Sequence, residues 1–115
     1  MKKVDLIFED EAWWIVDGGN FVHAFDLDED IGIDSRKAQE KALGWTWNMG
    51  WEIGRIENPN RSMETLEPPK TISIKDWDGV DHWFVAEMFA DGEIGSLMQE
   101  FPNGDEAETW RIQFC

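Results

Sequence analysis

The chain has little cysteine, little positive charge and no long apolar run, and each shortage removes a class of protein. Its one cysteine, Cys115, is the last of 115 residues. No disulfide can close within the chain, and a reducing cytoplasm is the expected setting. Ten Lys and Arg, scattered rather than clustered, stand against 25 Asp and Glu, for a net charge of −15. Such a surface repels phosphates and anionic lipid, so direct nucleic-acid binding and membrane association are not expected. No apolar stretch approaches the ~20 residues of a spanning helix. The segment Val4-Asp5-Leu6-Ile7-Phe8-Glu9-Asp10-Glu11 turns acidic too early for a signal peptide.

The marks of catalysis are scarce as well. There is no glycine-flanked serine and no Cys-His signature, and Gly18-Gly19 is followed by neither a helix nor a lysine, so it is no phosphate loop. The two histidines, His23 and His82, stand at no ligand spacing. With 25 carboxylates some pair must lie close, so a glycosidase-like pair cannot be inferred. No metal and no cofactor is assigned.

What is abundant is tryptophan. Eight Trp in a composition that is 42% hydrophobic and 13% aromatic set the chain apart from disordered acidic proteins. Burying one indole removes on the order of 200 Å² from water, worth roughly 5 kcal/mol before entropy is counted. Several buried Trp offset considerable charge repulsion. A single folded domain spanning residues 1–115 is expected.

Val4 to Phe8 alternates as a short strand. Trp13-Trp14-Ile15-Val16, Asp17-Gly18-Gly19-Asn20 and Phe21 to Phe25 read as a hairpin around a glycine turn, with one of Trp13 and Trp14 facing inward. An acidic loop, Asp26 to Asp34, leads to a short helix capped by Asp34 or Ser35, running from Arg36 to Leu43 and stopping at Gly44. From Leu43 to Ile53 two periods compete. Leu43, Trp45, Trp47, Met49, Trp51 and Ile53 alternate, while Ala38, Ala42, Trp45, Met49, Ile53 and Ile56 make a helical stripe; three glycines favour the strand. Glu57 to Pro69 holds three of the four prolines and reads as a long loop. Turns at Asp78-Gly79, Asp91-Gly92 and Asn103-Gly104 then divide the remainder into a meander of four strands: Thr71 to Lys75, His82 to Phe89, Glu93 to Phe101 and Ala107 to Phe114. The third of these would also suit a short helix. The sum is an α+β fold: a mostly antiparallel sheet, hairpin plus meander, open or partly closed into a barrel, with one short helix packed on it.

Three groups of residues are candidate sites. The acidic turns supply Asp26, Asp28, Glu29, Asp30 and Asp34, then Asp76, Asp78 and Asp81. The first opens like a calcium loop, but Ile31 stands where glycine is needed and Lys37 where a bidentate glutamate is needed, so it reads as a solvated turn. Trp45, Trp47 and Trp51 on one strand face form either a stacking platform or, the preferred reading, the core face. His82, beside Asp81, reads as a structural strand-end histidine.

The charge exceeds the magnitude of about 2 to 8 usual for a soluble small domain. A saline habitat or solubility alone would account for such charge equally well; the leading functional expectation is a non-enzymatic binding or inhibitor protein that docks a basic macromolecular partner, as immunity factors and nucleic-acid mimics do. The alternative is a small-ligand module with a Trp- and Met-lined pocket. A third is a small enzyme using carboxylates and His82.

Overall fold

A computed structural model describes residues 2–27 and 35–115. The acidic-loop residues Asp28, Glu29, Asp30 and Asp34 lie outside the described residues. The elements run β1 (Lys3–Glu9), β2 (Ala12–Asp17), β3 (Asn20–Asp26), α1 (Ser35–Asn48), β4 (Glu52–Glu57), a 3₁₀ turn (Pro59–Arg61), β5 (Lys70–Lys75), β6 (Asp81–Met88), β7 (Ile94–Phe101) and α2 (Gly104–Phe114). Two open sheets result, ordered β3-β2-β1-β4 and β5-β6-β7, and every neighbouring pair is antiparallel except β1 with β4. The α+β class with a mostly antiparallel pattern holds. Among the described residues neither sheet closes into a barrel, and there are two helices where one was expected.

The hairpin forms where the glycines place it. Gly18 and Gly19 have φ of +57° and +88°, the left-handed pair that a two-residue turn needs to match the strand twist. A second tight turn joins β1 to β2 without glycine: Asp10 and Glu11 stand at φ of +52° and +58°, where a side chain costs roughly 1 kcal/mol. Glu11→Gly is therefore expected to stabilise the protein by about 1 kcal/mol and raise Tm by about 4 °C. Thermal unfolding with no gain would show that the turn carries no strain.

The segment 43–53 is a correction. It is not one strand: α1 continues past Gly44 through Asn48, and only Glu52 and Ile53 belong to a strand, as the start of β4. Gly44 is buried where the Trp77 indole lies on the helix, and a Cβ there would sit 2.7 Å from Trp77 Cδ1. Gly44 thus serves a close approach to the Trp77 ring and does not end the helix. The real stop is Gly50, at φ +77°. Its N–H reaches Trp47 O at 2.9 Å and the Trp51 N–H reaches Thr46 O at 3.0 Å, the paired bonds of a left-handed helix cap. Trp45 and Trp47 thus leave a helix in different directions, and Trp51 lies beyond it.

The last strand of the expected meander is also corrected. Asn103-Gly104 is a helix start rather than a hairpin turn, because Asn103 Oδ1 accepts the Glu106 N–H at 2.9 Å. Asp105 and Glu106 occupy the first turn and Arg111 the last, charges suited to the helix dipole. α2 packs on one face of the β5-β6-β7 sheet, where Gly104 meets the Trp83 ring.

Both sheets and α1 share one core. Val4, Leu6, Trp13 and Ile15 come from β1 and β2, Ala38, Ala42 and Leu43 from α1, Ile56 from β4, and Ile74, Phe84, Met88 and Ile94 from the second sheet. Trp13 is the inward member of its pair, fully buried, while Trp14 is half-buried. Two polar devices tie α1 to the second sheet. Gln39, fully buried, donates from Nε2 to Ile94 O (2.8 Å) and accepts from Ile94 N (2.7 Å). The buried carboxylate of Glu93 accepts from Ser35 Oγ (2.6 Å) and from Asn58 Nδ2 (3.1 Å), and lies 3.4 Å from the Arg61 guanidinium. Trp13 Nε1 donates to that same Ser35 (2.8 Å). Arg61 also grips Glu64 and Asp91, which with Glu93 hold its pKa above the usual value against burial. The Glu57 to Pro69 loop is anchored by this arginine.

Candidate functional site

The edge strands β4 and β7 approach each other without a backbone bond between them, and a groove of about 480 Å³ opens along their free edges. Four successive residues of β7 (Leu97, Met98, Gln99, Glu100) line one wall, and Gly50, Trp51, Glu52 and Ile53 line the other. Side chains alternate faces along a strand, so a wall of consecutive residues lies along a strand's edge rather than on its face. Trp47 and His82, half-buried, and Phe84, buried, form the floor, and the exposed Lys3 completes the lining.

The floor is a stack. The Trp47 ring stacks on both His82 (centroids 4.2 Å, 18°) and Phe84 (5.6 Å, 14°), which share a face of β6. His82 is pinned at both nitrogens: Nε2 is 2.9 Å from Asp76 Oδ2 and Nδ1 is 3.2 Å from Glu100 Oε2. Each ring nitrogen thus faces a carboxylate oxygen, and a neutral imidazole donates to one of the two. The expected neighbour, Asp81, is instead held by Lys75 at 2.9 Å. Asp76 also accepts the N–H groups of Asp78 (2.9 Å) and Val80 (3.0 Å), closing the β5–β6 turn. The His82 bond, followed by the Val80 and Asp78 bonds, lowers the Asp76 pKa below its ordinary 3.8.

A lowered carboxyl pKa means that the unfolded chain binds the proton more tightly. The stabilisation is thus complete above the unfolded value and is lost as pH falls through the lower folded one. Asp76→Asn is expected to melt below the parent at pH 6, with the gap closing as pH falls below about 4. A gap independent of pH would contradict this ionic role.

The platform residues do not share a face. Trp45 stacks on His23 (5.1 Å, 9°) and meets Trp51 edge-on (5.6 Å, 81°), on the side of α1 toward the first sheet. Trp47 and Trp51 reach the groove, and Trp45 does not line it. The preferred core reading is met in part, since all three are half-buried against the core. Lys2 covers the Trp51 ring at 4.5 Å and pairs with Asp17 at 2.8 Å.

The acidic candidates are dispersed. Asp26 is exposed at the end of β3 in the first sheet, whereas Asp76, Asp78 and Asp81 belong to the β5–β6 turn of the second. Asp76 serves the turn, Asp81 its lysine, and Asp78 is exposed. Phe84, Leu97, Met98, Glu52 and Glu100 are groove residues that sequence reasoning missed, because only the approach of two sheets brings them together. Among the described residues there is no group of three His, Cys, Asp or Glu placed to hold a metal ion. No described helix is long and apolar enough to cross a membrane.

Compared with known proteins, the chain matches no family model, no curated protein and no solved structure.

Proposed function

We propose that this is a non-enzymatic binding protein that docks a basic macromolecular partner, in the manner of an inhibitor, an immunity factor or a nucleic-acid mimic. The observation that carries the reading is how the charges are spent internally. Lys2, Arg36, Arg55, Arg61, Lys70, Lys75 and Arg111 are each held by a carboxylate of the same chain. Scarce cations so engaged leave the excess negative charge facing outward. Glu9, Asp10, Glu11 and Asp26 gather at one end of the first sheet, where Glu9 and Asp26 both register with Ala12. None of these four is in an ion pair with a described cation. A field of this sign raises association rates with a basic surface by roughly ten- to a thousandfold and is screened by salt. Immobilised protein is expected to capture basic proteins at low ionic strength and release them as salt rises. Salt-insensitive capture, or none, would contradict the reading.

A second reading is favoured by the groove alone: its volume lies within the range of about 300–1,000 Å³ typical of small-ligand sites, and its lining is aromatic and Met-bearing. A thermal-shift screen of sugars, nucleotides and fatty acids without a hit would remove it. The enzyme reading keeps the weakest basis, because the carboxylate nearest His82, Asp76, is occupied in closing the β5–β6 turn.

A further inference from the structure

We infer that the β4–β7 groove receives an extended segment of the basic partner, in which lysine or arginine alternates with apolar residues, added as a strand along the free edge of β7. This inference rests on the binding-protein reading and names how that partner is held.

Three observations lead there. First, among the described residues β7 pairs only with β6; the Gln39 amide closes the start of its other edge at Ile94, but over Leu97 to Glu100 that edge meets no strand and faces the groove. Such an edge is a template for another chain, and proteins ordinarily guard it with charge or proline. The free edge of β5 fits that custom, with Pro68-Pro69 before it and Lys70 and Lys75 at its ends. β7 is guarded only at its far end, by Glu100 and the following Pro102, and Ile94-Gly95-Ser96-Leu97-Met98-Gln99 carries no charge.

Second, the groove is two-sided in a way that suits a strand. A strand laid along Leu97 to Glu100 sends alternate side chains toward the floor and toward solvent. The floor offers Trp47 and Phe84, which take apolar groups. The lining also offers the exposed Glu52 and Glu100, which take cations. An alternation of apolar and basic residues satisfies both sides at once. The four-residue wall spans about 13 Å at ~3.3 Å per residue, enough to pair a short segment.

Third, the charge of the whole chain selects the sign. At −15 it attracts a cationic segment and repels an acidic one. Among the described residues Lys3 is the one lysine or arginine lining the groove, set across from Glu52 in the β1–β4 register. It opposes a basic guest, which makes it a test position: Lys3→Glu should strengthen binding rather than weaken it.

The experiment uses the full chain and a blocked six-residue peptide alternating Lys with Val, read by titration and by amide hydrogen exchange. Three controls accompany it: the same peptide with Glu for Lys, the Lys peptide methylated on alternate backbone nitrogens, and a scrambled Lys peptide with its valines adjacent. The inference expects binding of the Lys–Val peptide with slowed exchange at residues 97–100, and about tenfold weaker binding after backbone methylation. It also expects about tenfold tighter binding to Lys3→Glu and about tenfold weaker binding to Glu52→Lys, one charge-assisted contact in each case. Salt-sensitive binding that is indifferent to methylation, scrambling and both variants would overturn the groove while leaving electrostatic docking in place. Equal binding of the Glu and Lys peptides would overturn both. No binding of the Lys peptide to the parent or to Lys3→Glu, with basic proteins still captured at low salt, would overturn the groove alone.

Discussion

Arg61→Ala is expected to lower the free energy of unfolding by about 3 kcal/mol, the lower end of the ~3–5 kcal/mol cost of breaking a buried ion pair. The reason lies in what remains. Glu93 is only 4% exposed, and without the guanidinium its charge keeps Ser35 and Asn58 but has no cation. The variant also releases the Glu57 to Pro69 loop, because the same side chain holds Glu64 and Asp91 and lies 4.1 Å over the Phe89 ring. Urea unfolding should show a lower midpoint with an unchanged slope. Adding Glu93→Gln to Arg61→Ala should recover part of the loss, since the neutral amide no longer needs a cation. A double variant less stable than the single one would show that the carboxylate is held by its hydrogen bonds and not by the arginine.

Gln39→Leu is expected to cost about 2–4 kcal/mol, since it leaves the N–H and C=O of Ile94 buried without their side-chain partner. Leucine is apolar and close in size, so loss of packing contributes little. The glutamine amide acts as a short piece of strand between α1 and the start of β7, closing two backbone groups that no neighbouring strand reaches. Amide exchange near Ile94 should accelerate more in this variant than exchange in β1 or β2. A loss below about 0.5 kcal/mol in urea unfolding would mean that water takes over both bonds.

The fold was most legible where a turn demanded one residue type. Gly18-Gly19, Asp78-Gly79 and Asp91-Gly92 each stand at a tight reversal, and the strands around them fall within a residue or two of the ranges read from alternation. Two errors share a physical origin. Trp45, Trp47 and Trp51 satisfy a period of two, and the stripe Ala38, Ala42, Trp45 and Met49 satisfies 3.6, so the glycines decided the choice. Gly44 proved to be a packing contact for Trp77 rather than a breaker. Asn103-Gly104 is a fine hairpin turn by composition, but Glu106 stands three residues after Asn103, the spacing of a helix cap, and that signal was present to be read. The site was less legible. Trp47, Trp51 and His82 were singled out for the wrong reason, as a strand face and a lone histidine. Their meeting depends on the parallel β1–β4 pairing and on the approach of β4 to β7, and neither leaves a local pattern in the chain.

The claim that the groove is the recognition site is tested most directly by following the indole N–H signals of all eight Trp while the Lys–Val peptide is added. The account predicts that Trp47 and Trp51 move with a common midpoint, while Trp14, Trp77 and Trp110, which do not line the groove, stay in place. Shifts confined to Trp110 or Trp14, with Trp47 and Trp51 unmoved at saturation, would contradict it.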